Sequence, residues 1–191
     1  GAGDRNANLA EAYSALREAG DAAEASGNDR VRVMLLIGQL EMASGVPGYW
    51  SDIADLIKRA ELGVQHVQDP VASLLFDELR GVVAMNHGDW SDAIERFDRT
   101  RQGWLERGSD EMYSRFTALE AETLLSRHAE GDLARGLAIL AEADTHDLRP
   151  ASHQFLMVVR AMIDGSLGTS TALESPVLGA VETAGKGDCA L

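Results

Sequence analysis

The chain is short of cysteine, aromatic side chains, positive charge and long apolar runs, and each shortage excludes something. Its single cysteine, Cys189, is third from the end. One cysteine cannot close an internal disulfide, which fits a reducing compartment. A prenylation box needs cysteine fourth from the end, so this is not one. Aromatics are only 5% of residues. A β-sandwich would use more Val, Ile, Thr and Tyr, whereas alanine and leucine filling the interior favours closely packed helices. Lys and Arg number 17 against 31 Asp and Glu, a formal net charge of −14. That surface repels phosphate backbones and anionic lipid heads, which argues against direct nucleic-acid or membrane binding. No apolar run approaches the roughly 20 residues of a membrane span, and no secretory signal opens the sequence. The expected location is cytoplasmic.

Catalytic and metal signatures are also lacking. None of the five histidines, His66, His87, His128, His146 and His153, stands at a ligand spacing such as His-Glu-x-x-His. Asp144, His146 and Asp147 share a loop, but a second element would have to complete any metal site there. Gly185-Lys186-Gly187-Asp188 fails the phosphate-loop pattern, with Ala180 in place of glycine and no Ser or Thr after the lysine. No Gly-x-Ser-x-Gly elbow occurs. The chain reads as non-enzymatic, with no cofactor and no metal.

What is present is helical periodicity cut by turn residues. A chain of 191 residues buries roughly 70% of its unfolded surface, so it needs no staples. Gly1-Ala2-Gly3 reads as a frayed end. The first helix spans about 8–26, with Leu9, Tyr13, Leu16 and Ala23 at helical spacing. The second, 29–44, is apolar on most sides, as a helix covered on two faces would be, and Asn28 or Asp29 is placed to cap it. After the Gly45–Gly48 turn a third helix starts near Tyr49-Trp50 and reaches about Gln68. Asp69-Pro70 is an N-cap followed by proline at the first helical position. The fourth helix ends at Gly88, the fifth covers Trp90 to about Arg107, and Gly108-Ser109 ends it and caps the sixth. A seventh follows Gly131-Asp132, an eighth runs to Gly165, and Ser175-Pro176 is placed to start one short terminal helix.

The punctuation recurs. Trp50-Ser51-Asp52 and Trp90-Ser91-Asp92 lie forty residues apart, as do Gly48 and Gly88, Ile57 and Phe97, and Arg59 and Arg99. Gly131-Asp132-Leu133 continues the series, with Gly136 in the place of Ala93 and Leu140 in that of Phe97. Two helices per unit at such a period is the mark of an α-solenoid. Gly81, Ala84, Gly88-Asp89-Trp90, Ala93 and Phe97 together resemble the tetratricopeptide repeat. The period is longer than that family's roughly 34 residues, Thr100 stands for its second-helix alanine, and Leu105 for its terminal proline. The long-repeat variant in the sensor portions of large bacterial ATP-dependent transcriptional regulators is similar.

The resemblance implies an all-α, right-handed α-α superhelix of about four helical hairpins. The repeat domain would cover residues 4–168, and a short capping helix and frayed tail residues 169–191. The structural positions are Trp50, Gly81, Gly88, Trp90, Ala93, Phe97, Gly131, Gly136 and Leu140. In such arrays one face of each first helix lines a groove, which here assigns Met42, Glu78, Val82, Met85, Asn86, Leu125 and His128. A lining that mixes Met and Asn suits a peptide or protein segment. The implied function is a protein- or peptide-binding scaffold, a regulatory domain of a larger bacterial signalling or transcriptional regulator. The alternatives are an effector-sensing domain with a pocket inside the superhelix, and a module that self-assembles through its terminal helices into a homo-oligomer.

Overall fold

In a computed structural model, residues 2–45, 51–146 and 148–166 are described, and they form eight α-helices with no strand among them. They are α1 (Ala2–Ala25), α2 (Asp29–Gly45), α3 (Ile53–Val67), α4 (Pro70–Asn86), α5 (Trp90–Glu106), α6 (Asp110–Arg127), α7 (Asp132–Ala143) and α8 (Pro150–Ser166). The expected all-α class holds. Trp50, Asp147, Ser175-Pro176, the 169–191 tail and Cys189 lie outside the described residues. The chain divides into two compact units, Gly1–Arg96 and Phe97–Leu191, and the division falls inside α5.

Local chemistry explains most boundaries. Asn28 Oδ1 accepts a hydrogen bond from the Val31 amide at 3.1 Å, so of the two candidate caps for α2 asparagine is the one used. The Asp69 carboxylate accepts from the amides of Val71 and Ala72, and Arg30 Nε donates to it at 2.6 Å. Those two amides hold the Asp69 carboxyl below its ordinary pKa, with Arg30 adding to the effect. After α4, Gly88 takes φ 79°, while the Asp89 amide reaches back to the Ala84 carbonyl at 2.9 Å and the Gly88 amide to Met85 at 3.1 Å. This is a Schellman closure, which requires the left-handed residue that glycine supplies cheaply.

Two boundaries and one cap differ from the sequence reading. Helix α1 begins at Ala2 rather than near residue 8, so Ala2 and Gly3 are helical and not frayed. Helix α3 begins at Ile53 instead of near Trp50, and Ser51-Asp52 form a short 3₁₀ turn ahead of it. The second copy of Trp-Ser-Asp is helical from Trp90 because Asp89 precedes it and accepts from the Asp92 amide at 3.3 Å. In the sequence the residue before Trp50 is Tyr49, which is not among the residue types that favour the capping position. Ser109 precedes α6 but makes no side-chain cap bond.

In the first unit α2 packs on α1, α3 and α4, and α3 also meets α4. The core is Val33, Leu36, Ile37, Leu40 and Ala43 of α2 against Ile53, Leu56 and Ala60 of α3 and Ala72, Phe76 and Leu79 of α4. The coverage read into the apolar pattern of α2 is therefore real. Helices α2 and α3 pack tightly at Gly63, where an added Cβ would lie 2.5 Å from Val33 Cγ2. Arg96 ties the start of α5 to α4, with Nη1 2.7 Å from Asp77.

In the second unit α6 packs on α7 and α8, and α7 touches α8. Phe97 and Phe116 meet with ring centroids 6.1 Å apart, and both are fully buried. Leu140, Leu156 and Ile163 fill the interior beside them. Gly136 is buried, as its place at a helix crossing implied, yet an added Cβ would meet only the Ala121 carbonyl, at 3.9 Å. That is ordinary contact, so this crossing does not demand glycine.

Candidate binding site

Helices α2 and α4 lie side by side in the first unit, and their C-terminal ends frame a shallow depression with the start of α3. Ser44, Ile53, Val83, Asn86 and His87 line about 50 Å³ of open space. That holds about three to five waters, at roughly 10–15 Å³ per water. Its floor is apolar because Ile53 and Val83 belong to the helix-packing layer. Its rim is polar because Asn86 and His87 are where α4 runs out of turns, and both are exposed.

Of the residues assigned to a groove from the sequence, Asn86 lines this depression, and Val82 and Met85 lie half-buried within a turn of it on α4. Met42, on α2, is half-buried and is not part of the lining. Glu78 is buried, at 6% exposure. Leu125 is half-buried near the end of α6, and His128 is exposed at its C-cap with φ 53°. Those two belong to the second unit.

The sequence reading missed a buried ionic cluster in the second unit. Glu120 of α6 has no exposed side-chain surface and accepts from Arg101 Nε of α5 at 3.2 Å and from Arg135 Nη2 of α7 at 2.7 Å. Arg101 also donates to Asp98 at 3.0 Å. Its Nη1 lies 3.2 Å from Glu142, close enough for charge attraction but not aligned as a hydrogen bond. Burial pushes the Glu120 carboxyl pKa up and the Asp98 charge adds to that, while Arg101 and Arg135 oppose without cancelling. Burial works against charge on Arg101, but Glu120, Asp98 and Glu142 outweigh it and hold the guanidinium firmly protonated. Beside the cluster, Tyr113 stands edge-on to His146 with centroids 5.1 Å apart. One signal was available: Glu120 sits one turn from Phe116 and one turn from Leu124, on the apolar face of α6.

The cluster joins three helices, and its charges are spent on one another. In the loop after α7, Asp144 pairs with Arg160 at 2.5 Å and His146 packs on Tyr113. Among the described residues no group of three His, Cys, Asp or Glu is placed to hold a metal ion. No helix among them is long and apolar enough to cross a membrane. No family model, curated protein or solved structure matches this chain.

Proposed function

We propose that the chain is a helical-repeat scaffold of the tetratricopeptide type, a right-handed superhelix whose first helices hold a peptide or protein segment, within a larger bacterial regulator. The observation that carries this reading is a packing order common to both units. A leading helix contacts the helix after it and the helix two on: α2 meets α3 and α4, and α6 meets α7 and α8. The forty-residue register adds support, because Ile53 and Ala93 are both buried, as are Ala60 and Thr100, and Gly63 and Gly103 keep the same separation. The depression on α2 and α4 offers an apolar foothold with amide and imidazole groups at its edge, which suits a side chain of an extended partner. At about 50 Å³ it is far below the roughly 300–1,000 Å³ of a small-molecule site, so it lends no support to an effector pocket.

The test places a photo-crosslinking residue at position 86 and, separately, at position 59 on the exposed side of α3, and pans a random peptide library on each. Recovered peptides are expected to crosslink at 86 and not at 59. Equal crosslinking at both, or none at 86, sinks the groove assignment. Self-assembly is a second reading with an observation behind it. Phe155, Val158 and Met162 of α8 are each about half exposed and share one face of the last helix among the described residues.

A further inference from the structure

We infer that a later segment of this same chain, residues 173–184, seats on α8 along Met157, Val158 and Met162, as the first half of α5 returns to α4. This goes beyond the binding reading and shares with it only the repeat register. Helices α4 and α8 lie two forty-residue periods apart: Pro70 and Pro150 open them, and Arg80 and Arg160 keep the same separation. Their inward residues correspond, since Ala72 and Ser152, Phe76 and Leu156, and Leu79 and Val159 are all buried. Their outer surfaces do not. On α4, Asp77 and Val82 are half-buried, Glu78 is buried, and Arg96 of α5 holds Asp77 at 2.7 Å. The counterparts on α8, Met157, Val158 and Met162, are each about half exposed.

The sequence after α8 says what fits there. Eighty residues beyond Arg96 is Pro176, so both members of the Asp77–Arg96 pair give way to apolar residues together. A charge replaced on one side alone would leave the other against an apolar surface, which is costly. The buried positions of α5 follow suit: Ala93, Phe97, Thr100 and Arg101 correspond to Leu173, Val177, Ala180 and Val181, with Glu174 in place of Ile94 the exception. Counted from the helix start read at Ser175-Pro176, Val177, Val181 and Ala184 recur at helical spacing on one face. Reach is ample. Residues 167–175 extend to roughly 30 Å, and Val158 lies about 12 Å back along α8 from Ser166. A segment on so short a tether meets that face at roughly millimolar effective concentration, which a second copy in dilute solution does not match.

The experiment uses the whole chain. A photo-crosslinking residue is placed at position 158 and, as a control, at position 59, and the linked peptides are mapped by mass spectrometry. Mixing isotope-labelled with unlabelled chains separates links within one chain from links between two. Position 158 is expected to link to residues 173–184 of its own chain, and position 59 is not. Val177→Asp/Val181→Asp should abolish the link at 158 and raise the fluorescence of a hydrophobic dye as the face is uncovered. Links from 158 to a second chain would assign the face to another copy. That result, links that avoid 173–184 or survive the double substitution, or no link at all, would each overturn the inference. Each would leave standing the scaffold reading, which the peptide selection at position 86 tests separately.

Discussion

Replacing Glu120 with leucine tests whether the buried ionic cluster is a structural joint of the second unit. The substitution removes the two oxygens that accept from Arg101 and Arg135 and leaves Arg101 only 4% exposed. Breaking a buried pair from one side typically costs about 3–5 kcal/mol. Arg101 retains Asp98 at 3.0 Å and Glu142 at 3.2 Å, both roughly two-fifths exposed, so the lower end, about 3 kcal/mol, is expected. For a chain of this size that lowers Tm by about 6–12 °C. Urea denaturation followed by circular dichroism reads it as a lower midpoint at an unchanged slope. The companion variant, Arg101→Met with Glu120→Leu, removes both charges at once and should recover most of the loss, because a matched apolar pair need not be worse than a buried ion pair. A coupling of more than about 1.5 kcal/mol in that cycle is expected. If Glu120→Leu is as stable as the parent, or the double variant loses the sum of the two single losses, the cluster is not the joint described.

Two further outcomes follow from specific contacts. Gly63→Ala should destabilise by about 1–3 kcal/mol, because its Cβ would overlap Val33 Cγ2, and Val33→Ala should relieve part of that loss; Gly136→Ala, with its nearest neighbour at 3.9 Å, should be neutral or gain up to about 1 kcal/mol of helix propensity, and denaturation of the two variants side by side checks the contrast. Glu120→Gln should change how stability responds to pH: the folded carboxyl titrates above the ordinary 4.5, so between 4.5 and its folded value the native state keeps a proton that the unfolded chain has released, and the parent loses stability relative to the glutamine variant as pH rises through that window. A stability difference that stays constant across a pH series, or one that changes in the opposite sense, counts against the raised carboxyl.

What was legible in the sequence was what a few neighbouring residues decide. Asp69-Pro70 starts α4 because one carboxylate reaches two adjacent amides, and Gly88-Asp89 ends it because glycine accepts the left-handed turn. Position on the helix circumference was less legible. Glu78 was assigned to a groove by transferring a face from an aligned pattern, yet its own helix turns it inward. Gly63 went unnoticed because its importance depends on Val33, thirty residues earlier, and nothing local marks that meeting. Glu120 did leave a trace as a lone carboxylate between Phe116 and Leu124, but its partners come from helices before and after it, and spacing along one helix cannot supply them. The small depression draws on three segments, so only Asn86 among its lining had been picked out.

The Arg101–Glu120–Arg135 joint bears on how an all-helical chain avoids assembling wrongly. Leucine-lined rods slide past one another with little penalty, and similar units invite exchange of neighbours while the chain is still finding its form. A carboxylate at one height on α6 tolerates no such freedom: shift α7 along its axis by a single residue and the helix turns by about 100°, carrying Arg135 away from its mate. Shape thus brings these three rods together, and polarity fixes how far each is inserted, like the notch that lets a key stop at only one depth.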